Sequence, residues 1–181
     1  LLDSTSGAMN SAVTAANGDT AYIVMRRDVY SLGESINLAT LLGKVVVDLQ
    51  NKYTLYNDST ATKGLINTFI DYGKITSDNV EANLSNPGEI TFKNGTIRNE
   101  GSYHMFGFDM TADSVLGEAF SNYSAKSIIY NFDNVEFQAV KKEIMRNWNK
   151  KGEGINVKVN INDCTFNFTG MSTSIVMFNC T

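Results

Sequence analysis

A short pattern occurs three times in this chain and leaves few folds open to it: Ile90-Thr-Phe-Lys-Asn-Gly-Thr-Ile97, Tyr130-Asn-Phe-Asp-Asn-Val-Glu-Phe137 and Val159-Asn-Ile-Asn-Asp-Cys-Thr-Phe166. Each copy reads apolar, x, apolar, x, Asn or Asp, x, x, apolar. The first two apolar positions alternate as in a strand, whose side chains at i and i+2 share a face. The third lies five residues after the second, as from Phe92 to Ile97, so an unbroken strand would send it to the opposite face. A bend between them brings it back. Asn94, Asn134 and Asp163 stand at that point, and Asn and Asp tolerate the left-handed backbone that a tight bend needs. Strands that meet at such corners are how a β-solenoid turns.

A second apolar element follows each of the first two copies at a fixed distance. Met105-Phe-Gly-Phe108 comes thirteen residues after Phe92, and Met145-Arg-Asn-Trp148 thirteen after Phe132, which aligns Met105 with Met145. Val176-Met-Phe-Asn179 is the matching piece after Ile161, slightly further on. An earlier and fainter turn of the pattern runs through Val45–Leu55 and Leu65–Ile70, and Tyr22-Ile-Val-Met25 reads as the first strand. The interval is 40 residues from Phe92 to Phe132 and 29 from Phe132 to Ile161, so strands stack while the loops between them vary in length. Residues 4–17 read as one short helix, with Ala8, Ala12, Val13 and Ala16 on one face and Gly18 as its stop. The expected fold is all-β: a right-handed parallel β-helix over 20–181, with the helix at 4–17 capping its first coil. A β-sandwich also has short alternating strands, but it does not explain a parity flip repeated at an Asn or Asp corner. Residues 175–181 end in strand-like sequence, so the C-terminal end is expected to be open. The chain is then expected to be a module of a longer protein, able to associate end to end through that face.

Composition narrows the function. At 181 residues the chain suits one domain. Hydrophobic residues at 43% and charged residues at 19% describe a folded chain rather than a disordered one. A net charge of −4 argues against nucleic-acid binding, and no apolar run approaches the roughly 20 residues of a membrane span. Two cysteines, Cys164 and Cys180, are too few for a disulfide scaffold or a cysteine zinc site, and whether they are bonded stays open.

At these motifs (Ala12–Ile23, Val47–Leu55 and the Asn-centred segments at 90–97, 130–137 and 159–166) the chain resembles the pectate-lyase-like parallel β-helix superfamily. In style it is most similar to the adhesive β-helix modules of Gram-positive cell-surface proteins. The resemblance implies an extracellular or cell-surface location and a polysaccharide or host glycan as partner. It does not imply catalysis, because β-helices host lyases, hydrolases and non-catalytic adhesins alike.

Lyase chemistry needs Asp or Glu calcium ligands on one face with an Arg or Lys base beside them. The candidates by type, Asp109, Asp113, Asp133, Glu136 and Asp163 with Arg98 and Arg146, do not converge on one position of the repeat. Asp133 aligns with Lys93 and Asn162, and Glu136 with Thr96 and Thr165. His104 is the sole histidine, so no His cluster exists. No catalytic residue, metal ligand or cofactor is expected. The Asp109, Asp113 and Glu118 group is the sole hint of calcium and lacks EF-hand spacing.

Two features point to ligand binding. Lys141, Lys142, Arg146, Lys150 and Lys151 surround Trp148, an aromatic ring for a sugar face with cations for an acidic glycan. Phe120 and Tyr123 lie in the longest insertion, 109–127, where a solenoid commonly carries recognition. The leading expectation is a non-catalytic extracellular module for adhesion or glycan binding. The alternatives are a polysaccharide lyase or glycoside hydrolase, and a structural spacer or filament subunit.

Overall fold

The computed structural model describes residues 20–31, 36–37, 44–57, 59, 66–68, 88–101, 106–109, 127–139, 145–148, 156–168 and 178–180. They form strands β1 (Ala21–Val24), β2 (Val29–Ser31), β3 (Ile36–Asn37), β4 (Lys44–Asp48), β5 (Thr54–Asn57), β6 (Ile66–Thr68) and β7 (Gly88–Asn99). Then come β8 (Phe106–Asp109), β9 (Ser127–Ala139), β10 (Met145–Trp148), β11 (Asn156–Asn162), β12 (Thr165–Asn167) and β13 (Phe178–Cys180). The described part is all-β. The helix expected at 4–17 lies outside the described residues.

Every pairing among these strands is parallel, which the antiparallel sheets of a β-sandwich would not give. The first sheet has eight strands and the second has five, in the order β3, β6, β8, β10, β13. Successive units of sequence contribute one piece to each sheet, and units adjacent in sequence are adjacent in both. In the first sheet β7 spans β4 and β5 along its length, and β9 spans β11 and β12.

The register matches the repeat read from sequence. Ile23, Val47, Phe92, Phe132 and Ile161 form one cross-strand row, and Val29, Leu55, Ile97, Phe137 and Phe166 another. These rows face inward and are buried as far as Phe137, whereas Ile161 on β11 is 42% exposed. That strand is outermost in its sheet among the described residues, so its side chain is stacked on one side. The core is aromatic at its centre. Phe132 lies 5.7 Å from Phe92, 5.3 Å from Phe106 and 4.9 Å edge-on from Phe137, between ring centroids.

In the second sheet the expected alignment is off by one residue at β8 and by two at β13. Met145 pairs with Phe106, not Met105, and on its other side with Phe178, not Val176. Seven positions separate Asn99 from Phe106, but six separate their partners Ala139 and Met145. A one-residue difference of this kind reverses the face of every side chain on the strand. Phe106 is fully buried.

Candidate functional site

The corners set the site. Asn94, Asn134 and Asp163 adopt the left-handed conformation, with φ of 59°, 54° and 50°. The same number of residues turns each of these three corners: 94–96 between Lys93 and Ile97, 134–136 between Asp133 and Phe137, 163–165 between Asn162 and Phe166. The unit before them departs from this. Six residues, 49–54, fill the same span between Asp48 and Leu55. Gln50 and Asn51 are both left-handed there, at φ 59° and 55°, and the Lys52 and Tyr53 amides close a turn onto the Leu49 carbonyl at 3.2 and 3.0 Å.

This wide corner is anchored to the next one. Leu49 N donates to Lys93 O at 2.9 Å, Asn51 N to Asn94 O at 2.6 Å, and Thr96 N to Tyr53 O at 3.3 Å. Side-chain amides continue the link. Asn94 Nδ2 donates to Asp48 Oδ1 at 3.2 Å, and Asn134 Nδ2 reaches both Asn94 Oδ1 at 3.2 Å and Asn51 Oδ1 at 3.0 Å. Asn94-Gly-Thr96 is an N-glycosylation sequon, and a glycan on Asn94 would break this ladder.

Between the wide corner and the narrow ones lies an open groove of about 240 Å³. Asn51, Lys52 and Tyr53 form one wall, with Lys52 Nζ held 5.2 Å above the Tyr53 ring. Gly95, Thr96, Asn134, Glu136, Asp163 and Thr165 supply the rest, with Val135. Thr96, Glu136 and Thr165 share one register row, so the groove runs across the strands. Its lining of hydroxyls, amides, carboxylates, one ammonium and one phenol ring suits hydrogen-bonding to a polar ligand with an apolar face.

The sheet face beside the groove carries a second polar and aromatic row: Tyr30, Tyr56, Arg98 and Gln138 in register. Tyr30 and Tyr56 stack with centroids 4.6 Å apart and planes 4° from parallel. Arg98 binds Glu100 through Nε and Gln138 Oε1 through Nη1 at 2.8 Å, and Gln138 Nε2 donates to Glu136 Oε1 at 2.8 Å. Tyr30 has a raised pKa, from desolvation first and then from the nearby Tyr56, Asp28 and Glu100.

Asp48 is the electrostatic anchor of the wide corner. Partial burial pushes its carboxyl up, but this is outweighed by the Gln50 amide at 2.9 Å, the Asn94 amide, the Lys93 ammonium and the Tyr22 hydroxyl, so its pKa lies below the ordinary value. Lys93 has a raised pKa, first through its bond with Tyr22 and also through Asp48. A carboxyl with a depressed folded-state pKa contributes stability above its unfolded value, 3.8, and loses it as pH falls through the folded value. Wild type will therefore lose more melting temperature than Asp48→Asn between pH 6 and pH 3. Equal losses in the two melting series would contradict this role.

Of the residues singled out by sequence, Arg146 and Trp148 are strand residues of β10, in register with Gly107 and Asp109. Lys141, Lys142, Lys150, Lys151, Phe120 and Tyr123 lie outside the described residues. Asp133 aligns with Lys93 and Asn162, and Glu136 with Thr96 and Thr165, as the pattern implied. Yet the groove brings Glu136 and Asp163 to one site, which alignment by register position did not reveal. Cys164 is a free thiol directed at the carbonyls of Phe132 and Asn162. Among the described residues no three His, Cys, Asp or Glu side chains gather at metal-binding spacing, and no helix is long and apolar enough to cross a membrane.

No protein family matches the chain, and no curated protein or solved structure was found to be similar to it.

Proposed function

We propose that the chain is a right-handed parallel β-helix module that binds glycans in the corner groove and serves adhesion on a microbial surface protein. Support for the solenoid is the pairing of units adjacent in sequence in both parallel sheets, with left-handed corners at matching positions. Parallel strand connections within one sheet are right-handed in about 98% of cases, which supplies the hand. The extracellular setting and the pectate-lyase-like kinship rest on the sequence resemblance.

The observation that carries the binding reading is the groove itself. It crosses several strands, is open, and offers hydroxyl, amide and carboxylate groups beside the Tyr53 ring. Sugars present such a combination of hydroxyls and an apolar ring face, and an aromatic contact contributes about 1 kcal/mol. A glycan array probed with the folded chain is expected to show binding, with Tyr53→Ala several-fold weaker at an unchanged far-UV spectrum. An array without a single bound glycan would sink the proposal.

One observation favours an enzyme as the second reading: Glu136 and Asp163 line the same groove, and paired carboxylates cleave glycosidic bonds. Against it, Glu136 is already engaged by Gln138. Release of reducing or unsaturated sugar ends by the chain, lost in Glu136→Gln, would establish the enzyme instead.

A further inference from the structure

Resting on the glycan reading of the groove, we propose that it takes uncharged or amine-bearing saccharides and rejects polyuronates. The charges around the groove favour this selection. Its lining holds one cation, Lys52, and two anions, Glu136 and Asp163. The cation is drawn over the Tyr53 ring on one wall, while Asp163 stands exposed at the other side.

The neighbouring charges do not reverse this balance. Arg98, on the strand that supplies Thr96, is engaged by Glu100 and Gln138. Lys93 is turned to Asp48 and the Tyr22 ring. Asp133, one residue before Asn134, is exposed, accepts from Asn162 Nδ2 at 2.9 Å and adds a further anion. A uronate chain lying across these strands would set its carboxylates against Glu136 and Asp163. Like charges placed opposite one another select strongly against a partner.

Direction follows from the same lining. Thr96, Glu136 and Thr165 form one file across the strands, with Asn134 and Asp163 at the corners of the last two of these units, and strands are about 4.8 Å apart. A saccharide lying across the strands meets a fresh polar side chain at each step, whereas one lying along a strand leaves the groove after a single corner.

The test is a titration of the ¹⁵N-labelled full chain, read at the backbone amides of Thr96, Glu136, Asp163 and Thr165, so that binding elsewhere does not count. The probes are a neutral cello-oligosaccharide, a chitosan oligosaccharide and an oligogalacturonate. The neutral and amine-bearing probes are expected to shift the groove amides, with oligogalacturonate at least tenfold weaker. The double variant Glu136→Gln, Asp163→Asn should bring oligogalacturonate to within about threefold of the neutral probe. If oligogalacturonate matches the neutral probe on wild type, the charge selection is wrong although the glycan site stands. If no probe moves any groove amide, both the selection and the site fall.

Discussion

Phe132→Ala will destabilise the protein by about 3–5 kcal/mol, the range for removing a buried aromatic ring. Phe132 is the hub of the interior. It contacts Phe92 along the stack, Phe106 from the second sheet, and Phe137 across the corner of its own unit. Its loss opens a cavity between two sheets that stacked rings on either side cannot close. The same substitution at Ile161, one unit further along the same row, is expected to cost about 1 kcal/mol or less, because that side chain is already partly in water. Denaturant unfolding of the two variants checks both figures, and a similar cost at the two positions would contradict the register.

Gly95→Ala is the second large effect. A Cβ at Gly95 would sit 2.4 Å from the Leu49 Cβ and 2.8 Å from the Tyr53 carbonyl oxygen. The obstruction is the wide corner, which sends the Leu49 side chain into the interior, fully buried, over the place where the next unit has Gly95 and the one after it Val135. Both neighbours are fixed, Leu49 by its amide bond to Lys93 O and Tyr53 by accepting from Thr96 N. Overpacking of this kind costs about 1–3 kcal/mol, and the upper part of that range is expected here. Trimming Leu49 to alanine leaves its Cβ in place, so Leu49→Ala will not rescue Gly95→Ala. A thermal melt of the double variant at or above the single variant's midpoint would show that the clash lies elsewhere.

These two sites also mark what could be read from sequence and what could not. The corners at 94, 134 and 163 were legible because five residues separate the flanking inward positions, an odd number that breaks strand alternation. Val47 and Leu55 are eight apart, an even number that continuous alternation also allows, so periodicity did not flag the wide corner. Nothing local to Gly95 reveals its constraint, which comes from Leu49 on another unit. The groove was hidden for the same reason, since its lining comes from four successive segments that lie 27 to 42 residues apart in the chain. The stacked Tyr30 and Tyr56 were likewise separated by 26 residues, an interval none of the three repeats contains. One signal was available: the polar Gln50-Asn51-Lys52-Tyr53 run inside an otherwise regular pair of strands. The second sheet departs from the pattern because connection length, which no pattern encodes, varies between units: Phe106 follows Ile97 by nine residues, Met145 follows Phe137 by eight and Phe178 follows Phe166 by twelve.

The proposed ligand site is the groove beside the wide corner. The direct measurement is glycan binding by wild type, Thr165→Trp and Trp148→Ala, compared on one array. Thr165 is exposed and lines the groove, so a tryptophan there fills it from outside and leaves the core untouched. The expected result is binding by wild type and Trp148→Ala, and loss of at least tenfold in Thr165→Trp. Undiminished binding by Thr165→Trp would contradict the account.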